Sequence, residues 1–187
     1  MTTATVETFY GILALAAVAL IAVAAGSRLA ATVSGRAADA HEAIAHAVRP
    51  NALGLAWVAA VLATAGSLYF SEVAHFEPCL LCWYQRIAMY PLVVILGVGA
   101  LRRDGSAAVY AGVLAALGMA VSAYHVALEW FPALSSGACD PSAPCTLIWF
   151  RVFGFISLPT LAFIAFGLIL TILTLRPRAA TIDRESP

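Results

Sequence analysis

The sequence predicts an all-α integral membrane protein, built as an antiparallel four-helix transmembrane bundle with one additional N-terminal transmembrane helix. Of its 187 residues, 63% are hydrophobic and 11% are charged, whereas soluble domains are about half apolar and about one-quarter charged. A membrane-spanning helix needs about 20 predominantly apolar residues. Five stretches without Lys, Asp or Glu meet that requirement: 8–26, 53–71, 83–101, 106–128 and 153–175.

The first stretch is predicted to be an uncleaved anchor rather than a cleaved signal peptide. It is preceded by Glu7 and by no basic residue, and the first arginine, Arg28, follows it. A signal peptide has the opposite arrangement, with positive charge before the apolar region. We therefore assign residues 1–52 to an N-terminal transmembrane helix and a cytoplasmic connector, in which 39–48 is predicted to form a short amphipathic helix.

The remaining spans are predicted to form one domain, residues 53–176, followed by a cytoplasmic tail, 177–187. The turn at 102–105 is short, so the third and fourth spans are expected to be antiparallel neighbours. Four apolar helices joined in this way are typical of an up-and-down bundle.

Charge asymmetry predicts the orientation. All ten basic residues are arginine, and only Arg86 and Arg151 fall on the side of the two cysteine loops. The opposite side carries the other eight: Arg28, Arg36, Arg49, Arg102, Arg103, Arg176, Arg178 and Arg184. By the positive-inside rule the arginine-rich side is cytoplasmic, so the N-terminus and both cysteine loops are expected to face outward.

The four cysteines form two pairs, Cys79 with Cys82 and Cys139 with Cys145. Disulfides persist outside the cytoplasm, so one interpretation is two static bridges. A Cys-x-x-Cys bridge, however, closes a very small ring and gains little loop-closure entropy, and its spacing is common in redox-active pairs. A zinc site would favour two Cys-x-x-Cys pairs, but the second pair encloses five residues. The pattern therefore favours redox chemistry.

Cys82 is predicted to lie at the start of the third span, where helix N–H groups and the helix dipole stabilise an anion. Arg86 follows four residues later on the same helix face, which favours a thiolate at Cys82. Arg86 itself lies about 6 Å inside the predicted boundary. It either extends to the lipid headgroups or donates to a polar group on a membrane-borne electron acceptor.

Two cysteine pairs allow a chain of thiol–disulfide exchanges. The second pair, in a loop outside the membrane, is placed to meet a soluble thiol. The first pair, at the lipid boundary, is placed to meet a lipid-soluble acceptor.

Several sequence words carry a resemblance to a known family. They are SLYFSE (67–72), EPCLLCWYQRI (77–87), MYPL (89–92), SAYH (122–125) and FGFISLP (153–159). Over about residues 55–175 the chain resembles the bacterial disulfide-bond formation protein B (DsbB) family, in particular its Gram-positive BdbC branch. Vitamin K epoxide reductase-like proteins have a similar bundle, but their loop cysteines precede the Cys-x-x-Cys, whereas here they follow it.

The resemblance implies a quinone-dependent protein-disulfide oxidoreductase of the bacterial plasma membrane, which needs no metal. It would take electrons from an extracytoplasmic thioredoxin-like (DsbA/BdbD-like) protein and pass them to menaquinone or ubiquinone, supporting disulfide-bond formation. By the same resemblance, Cys82 is the quinone-proximal cysteine, Cys79 its partner, and Arg86 a quinone contact. Cys139 is the cysteine that the thioredoxin-like partner attacks, and Cys145 exchanges with Cys79.

The sequence leaves three points open. His125, near the outer end of the fourth span, either lines the quinone pocket or is a packed histidine. The second loop is short, which leaves the reach of Cys139 toward Cys79 undetermined. The alternative function is a structural or assembly membrane protein with static loop disulfides; a transporter is disfavoured because the spans contain few ionisable residues.

Overall fold

The computed structural model describes residues 2–135, 137, 139–140 and 143–175. The predicted tail, 177–187, and the basic residues Arg176, Arg178 and Arg184 lie outside this part of the chain. Within it the helices are α1 (Thr3–Ala30), α2 (Gly35–Val48), α3 (Ala52–Leu68), α4 (Leu80–Arg102), α5 (Ala107–Trp130) and α6 (Leu158–Thr174). A 3₁₀ turn at Arg49–Asn51 leads into α3, and α3 continues into a π-helical turn at Tyr69–Val73.

The predicted all-α membrane fold is confirmed. Helical segments long and apolar enough to cross a membrane are Thr3–Ala30, Gly35–Val73, Leu80–Arg102 and Ala107–Trp130. The last helix, α6, is apolar but has only 17 residues, which is at the short end of the range for a spanning helix.

Helices α3 to α6 form a four-helix bundle in which α3 packs on α4, α4 on α5, α5 on α6, and α6 back on α3. Leu92 and Leu96 of α4 lie in its centre with Phe166 and Ile169 of α6, and all four side chains are fully buried. The Phe166 ring packs directly on Gly118, where an added Cβ would lie 2.2 Å from the ring. A small residue on α5 therefore permits the close approach of α6.

The start of the fifth span was predicted too early. The apolar stretch begins at residue 153, but helix α6 begins at Leu158. Phe153 and Gly154 have positive φ angles of 55° and 82°, which an α-helix does not allow. They form a tight turn that is closed by a hydrogen bond of 2.9 Å from Val152 N to Ile156 O. The residues of this turn are apolar, so apolar composition alone did not locate the start of the helix.

Helix α1 packs on α6 and α2, and its N-terminal half lies at the end of the bundle where the cysteines are. Gly11 of α1, for example, lies against Val152, close to the start of α6. We call this the cysteine end: it is where α3 and α5 finish and where α4 and α6 begin. The predicted amphipathic segment 39–48 is helical as part of α2, which lies at the opposite end, where Arg49 donates to Leu175 O at 3.3 Å.

Candidate redox site at the cysteine end

The Cys-x-x-Cys pair forms the N-terminus of α4. Cys79 is the N-cap residue, with extended backbone angles, and its Sγ accepts a hydrogen bond from Cys82 N at 3.4 Å. Both cysteines are free thiols, with sulfur atoms 3.0 Å apart. A disulfide bond is about 2.0 Å long, so only a small side-chain movement separates this dithiol from a bridge.

His125 of α5 contacts this pair from the neighbouring helix. Its Nε2 lies 3.7 Å from Cys79 Sγ and 3.1 Å from Cys145 O, while Gln85 Nε2 lies 3.0 Å from its Nδ1. Because an amide N–H group donates, Nδ1 accepts, and the neutral ring carries its proton on Nε2. That proton points toward the cysteines.

The thiolate of the pair is favoured on Cys79. The hydrogen bond from the Cys82 side chain, followed by the hydrogen bond and charge of His125, lowers the pKa of Cys79 to about 4, although burial opposes this shift. The sequence alone predicts the anion on Cys82. The hydrogen bond from the Cys82 side chain and the contact with His125 account for most of the difference, and the backbone N–H of Cys82 adds a smaller effect because Cys79 is the N-cap residue.

The second cysteine pair lies against the first. Cys139 and Cys145 form a disulfide, whereas Cys79 and Cys82 are free thiols. Cys145 is only 2% exposed and packs in one apolar cluster with Cys79 and Leu128, whereas Cys139 is partly buried at its edge. The short loop thus reaches the Cys-x-x-Cys pair without any rearrangement.

A buried carboxylate completes this side of the site. Glu129 is 7% exposed and accepts a hydrogen bond of 2.5 Å from Ser157 Oγ at the start of α6. Together with His125 and both Cys79 and Cys82, Glu129 borders a cavity of about 90 Å³. Glu129 was missed as a site residue at the level of sequence, although it follows His125 by four residues and helical spacing could have shown that the two share a face. No signal in the sequence pointed to Ser157.

A second, larger cavity of about 320 Å³ lies on the other side of Cys82. Its polar lining is concentrated at the cysteine end, around Cys82 and Arg86. Arg86 donates from Nε to Ser67 Oγ at 3.1 Å and from Nη2 to Ser67 O at 3.2 Å. The Arg86 side chain is thereby held beside the cavity, while His125 borders the smaller one.

An aromatic group covers this cavity at the cysteine end. Phe76 stacks on Trp149 with ring centroids 4.7 Å apart and on Phe70 at 5.8 Å. All three side chains are part of the cavity wall. The apolar remainder of the wall comes from α1, α3 and α6, so the cavity has one polar end and one apolar end.

Cys79, Cys82 and His125 also place two sulfur atoms and one ring nitrogen within 4.8 Å of one another, a grouping able to hold a metal ion. Structural zinc sites use four such ligands, and Cys139 and Cys145 are bonded to each other. Among the described residues this set is therefore one ligand short. Disulfide formation between Cys79 and Cys82 would also remove both sulfur ligands.

Comparison with known proteins identifies a family. The sequence model of the family described as "Disulfide bond formation protein DsbB" matches residues 49–175. The chain belongs to the DsbB family. The match includes α3 to α6 and all four cysteines, and it excludes α1 and α2.

Individual relatives agree with the family assignment. The chain is 48% identical over 121 residues to a "Probable disulfide formation protein" of Oceanobacillus iheyensis. The alignment covers 64% of this chain and 83% of that protein. It is 44% identical over 120 residues to "Disulfide bond formation protein C" of Bacillus subtilis, covering 64% and 87%. A "Probable disulfide formation protein C 2" of Bacillus cereus is 40% identical over 139 residues, covering 74% and 96%. No solved structure matched the chain.

The family and the fold together support two general statements. The protein is a multi-pass membrane protein with a role in disulfide-bond formation, and the DsbB family indicates a disulfide oxidoreductase.

Proposed function

We propose that the protein is a membrane thiol oxidase that reoxidises an extracytoplasmic thioredoxin-like dithiol protein and passes the electrons through its two cysteine pairs to a membrane quinone. One observation carries the proposal. Cys145 packs against Cys79, and Cys82, whose sulfur is in hydrogen-bond contact with the Cys79 sulfur, borders the cavity of about 320 Å³. The four sulfur atoms thus form a continuous route from the loop to a lipid-accessible site.

The first exchange takes place at the loop disulfide. Cys139 is the more accessible partner, and Cys145 is nearly fully buried, so the incoming thiolate attacks Cys139 and Cys145 leaves. The second thiol of the partner then attacks the mixed disulfide. The partner is released as a disulfide, and Cys139 and Cys145 hold the two electrons as thiols.

The second exchange joins the two pairs. Cys145 attacks Cys79 of an oxidised Cys79–Cys82 bridge, Cys82 leaves, and Cys139 then attacks Cys145 to restore the loop disulfide. The products are a Cys139–Cys145 bridge and a Cys79/Cys82 dithiol, the combination found in the structure. His125 favours this step because its Nε2 contacts both the Cys79 sulfur and the Cys145 carbonyl oxygen.

The last step returns the dithiol to a disulfide. Cys79, whose thiolate is stabilised by Cys82 and His125, lies 3.0 Å from the Cys82 sulfur, so the sulfur–sulfur bond forms as the dithiol releases two protons and, through Cys82, two electrons. The acceptor chemistry would be supplied by a quinone, which takes up two electrons and two protons to become a quinol. Arg86, fixed by Ser67 beside Cys82, supplies charged hydrogen-bond donors for a polar head at that end of the cavity.

The proposal includes an orientation and a location. Eight of the ten arginines belong to segments on the side opposite the cysteines, which supports a bacterial plasma membrane protein with both cysteine loops outside. The soluble partner would meet Cys139 from that side. Residues 53–176 would be the redox domain, with 1–52 as an added helix and connector.

The test is turnover by the purified protein in detergent or nanodiscs. With a reduced thioredoxin-like protein and a short-tailed quinone, we expect one quinol for every two thiols lost. Cys79→Ser and Cys82→Ser should abolish quinol formation, while Cys139→Ser should block oxidation of the partner and leave chemically reduced protein able to form one quinol. A protein with static bridges would give neither quinol nor thiol loss, and that result would refute the proposal.

A further inference from the structure

We propose that helix α1 is a wall of the acceptor site and contacts the isoprenoid tail of the bound quinone. This inference rests on the proposed function and adds to it a binding surface that lies outside the family match, which begins at residue 49. The large cavity is lined from α1 by Tyr10, Leu13, Ala14, Ala16, Ala17 and Leu20. Without α1, this side of the cavity would be open.

The contact between α1 and the bundle is specific at the polar end of the cavity. Tyr10 donates from its hydroxyl to Leu62 O at 3.2 Å, and its ring lies 5.9 Å from that of Phe70. The ring packs directly on Gly66, where an added Cβ would lie 2.6 Å from it. Tyr10 therefore fixes α1 against α3 next to the residues that surround Cys82.

Small side chains keep the cavity open along α1. Ala14 and Ala17 border the cavity but are only 5% and 8% exposed, so their methyl groups pack against neighbouring atoms and do not extend far into the cavity. From Tyr10 to Leu20 the helix rises about 15 Å. Leu20 is 62% exposed, which places an opening toward lipid at the apolar end.

The shape and polarity of the cavity indicate the occupant. Its volume of about 320 Å³ falls at the lower end of the range for small-molecule sites. Cys82 and Arg86 lie at one end, and aliphatic side chains of α1, α3 and α6 line the other. A molecule with a redox-active polar head and a hydrocarbon tail fits this gradient, with the head at Cys82 and the tail passing along α1 to the opening at Leu20.

Photolabelling of the intact wild-type protein tests the inference directly. The probe is a quinone whose isoprenoid tail carries a diazirine. Cleavage at arginine releases residues 1–28 as one peptide, because Arg28 is the first arginine and the chain has no lysine. We expect most of the label on that peptide, and we expect excess unmodified quinone to suppress it. Label confined to peptides of α3, α4 and α6 would overturn the inference.

A matched pair of variants gives a second measurement. Ala17→Phe fills the cavity from α1, whereas Val18→Phe adds the same side chain at a position that is 44% exposed on the outer face of α1. Quinone binding is followed by quenching of tryptophan fluorescence, since Trp149 is part of the cavity wall. We expect Ala17→Phe to raise the quinone Kd at least tenfold and Val18→Phe to change it less than twofold. Equal binding by both variants would contradict a wall formed by α1.

These outcomes separate the two proposals. Labelling and binding report the site and do not depend on turnover. If the wild type forms quinol while α1 remains unlabelled, the role of α1 is refuted and the proposed function stands. If α1 is labelled but no quinol forms, the tail site stands and the proposed electron route is refuted.

Discussion

The Nε2 atom of His125 lies 3.7 Å from the Cys79 sulfur, although 46 residues separate the two in the chain. The same nitrogen lies 3.1 Å from Cys145 O. One side chain of α5 therefore contacts both cysteine pairs, and Gln85 fixes the orientation of its ring. The contact holds the loop against the N-terminus of α4 and stabilises negative charge on Cys79.

We predict that His125→Ala raises the pKa of Cys79. The folded value is lowered to about 4, so the wild-type thiolate persists from neutral pH down to about pH 4 and is lost below it. Without the His125 hydrogen bond the loss should begin at higher pH, and alkylation near pH 5 should slow. The measurement is the pH profile of alkylation in a Cys82→Ser background, which leaves Cys79 as the free thiol and keeps a hydroxyl donor beside it. His46→Ala, at the opposite end of the molecule, is the control. If the pH profiles of Cys82→Ser, Cys82→Ser/His125→Ala and Cys82→Ser/His46→Ala overlap, His125 does not lower the pKa of Cys79.

We predict that Arg86→Lys weakens use of quinone without affecting the partner. Lysine keeps the charge but lacks the planar group that donates to Ser67 Oγ and Ser67 O. The quinone KM should rise about tenfold, equivalent to about 1.4 kcal/mol, while the rate of the first exchange with reduced partner stays the same. Arg36→Lys, in the exposed part of α2, should leave both quantities unchanged. An equal loss in both half-reactions would indicate a general structural defect instead.

We predict that substitutions of Ser157 and Glu129 have non-additive effects on the free energy of unfolding. Removing the Ser157 hydroxyl deprives a buried carboxylate of its donor, which costs about 1–3 kcal/mol. Ser157→Ala should therefore lower the free energy of unfolding markedly, and the same substitution in a Glu129→Gln background should cost less. The free energy of unfolding is measured in detergent micelles for the wild type, the two single variants and the double variant. If the two substitutions change it by strictly additive amounts, the hydrogen bond is contradicted.

Two glycines of α5 provide a matched test of the bundle core. Gly118→Ala would place a Cβ 2.2 Å from the Phe166 ring, so α6 must move, at a cost of about 1–3 kcal/mol. Nothing lies within 4 Å of the corresponding position at Gly112, so Gly112→Ala should be neutral or stabilise the helix by up to about 1 kcal/mol. Thermal unfolding compares the two, and similar Tm values would show that α5 and α6 do not pack as described.

The sequence predicted those features of the fold that depend on local pattern. Length and hydropathy located the spans, and the Cys-x-x-Cys spacing placed Cys79 and Cys82 at a helix N-terminus with Arg86 one turn later. The start of α6 was wrong because an apolar run does not reveal the turn at Phe153 and Gly154. That turn depends on backbone angles that composition does not specify.

The contacts that build the site could not be read from the sequence because they join distant segments. Ser67 holds Arg86 across 19 residues, and Ser157 reaches Glu129 across 28. The low pKa of Cys79 comes first from the Cys82 side chain and then from His125, whose approach is set by the packing of α5 on α4. Tertiary packing, rather than local propensity, determines each of these relationships.

The most direct test of the electron route is whether the two cysteine pairs exchange through Cys79 and Cys145. In a Cys82→Ser/Cys139→Ser protein only these two cysteines remain, and they pack in one cluster. Non-reducing mass spectrometry after mild oxidation and cleavage at arginine should find the peptides containing residues 79 and 145 joined by a disulfide. In a Cys79→Ser/Cys139→Ser protein, far less disulfide should form between Cys82 and Cys145. If residues 79 and 145 stay unlinked, or if residue 82 links as readily as residue 79, the proposed route between the pairs is contradicted.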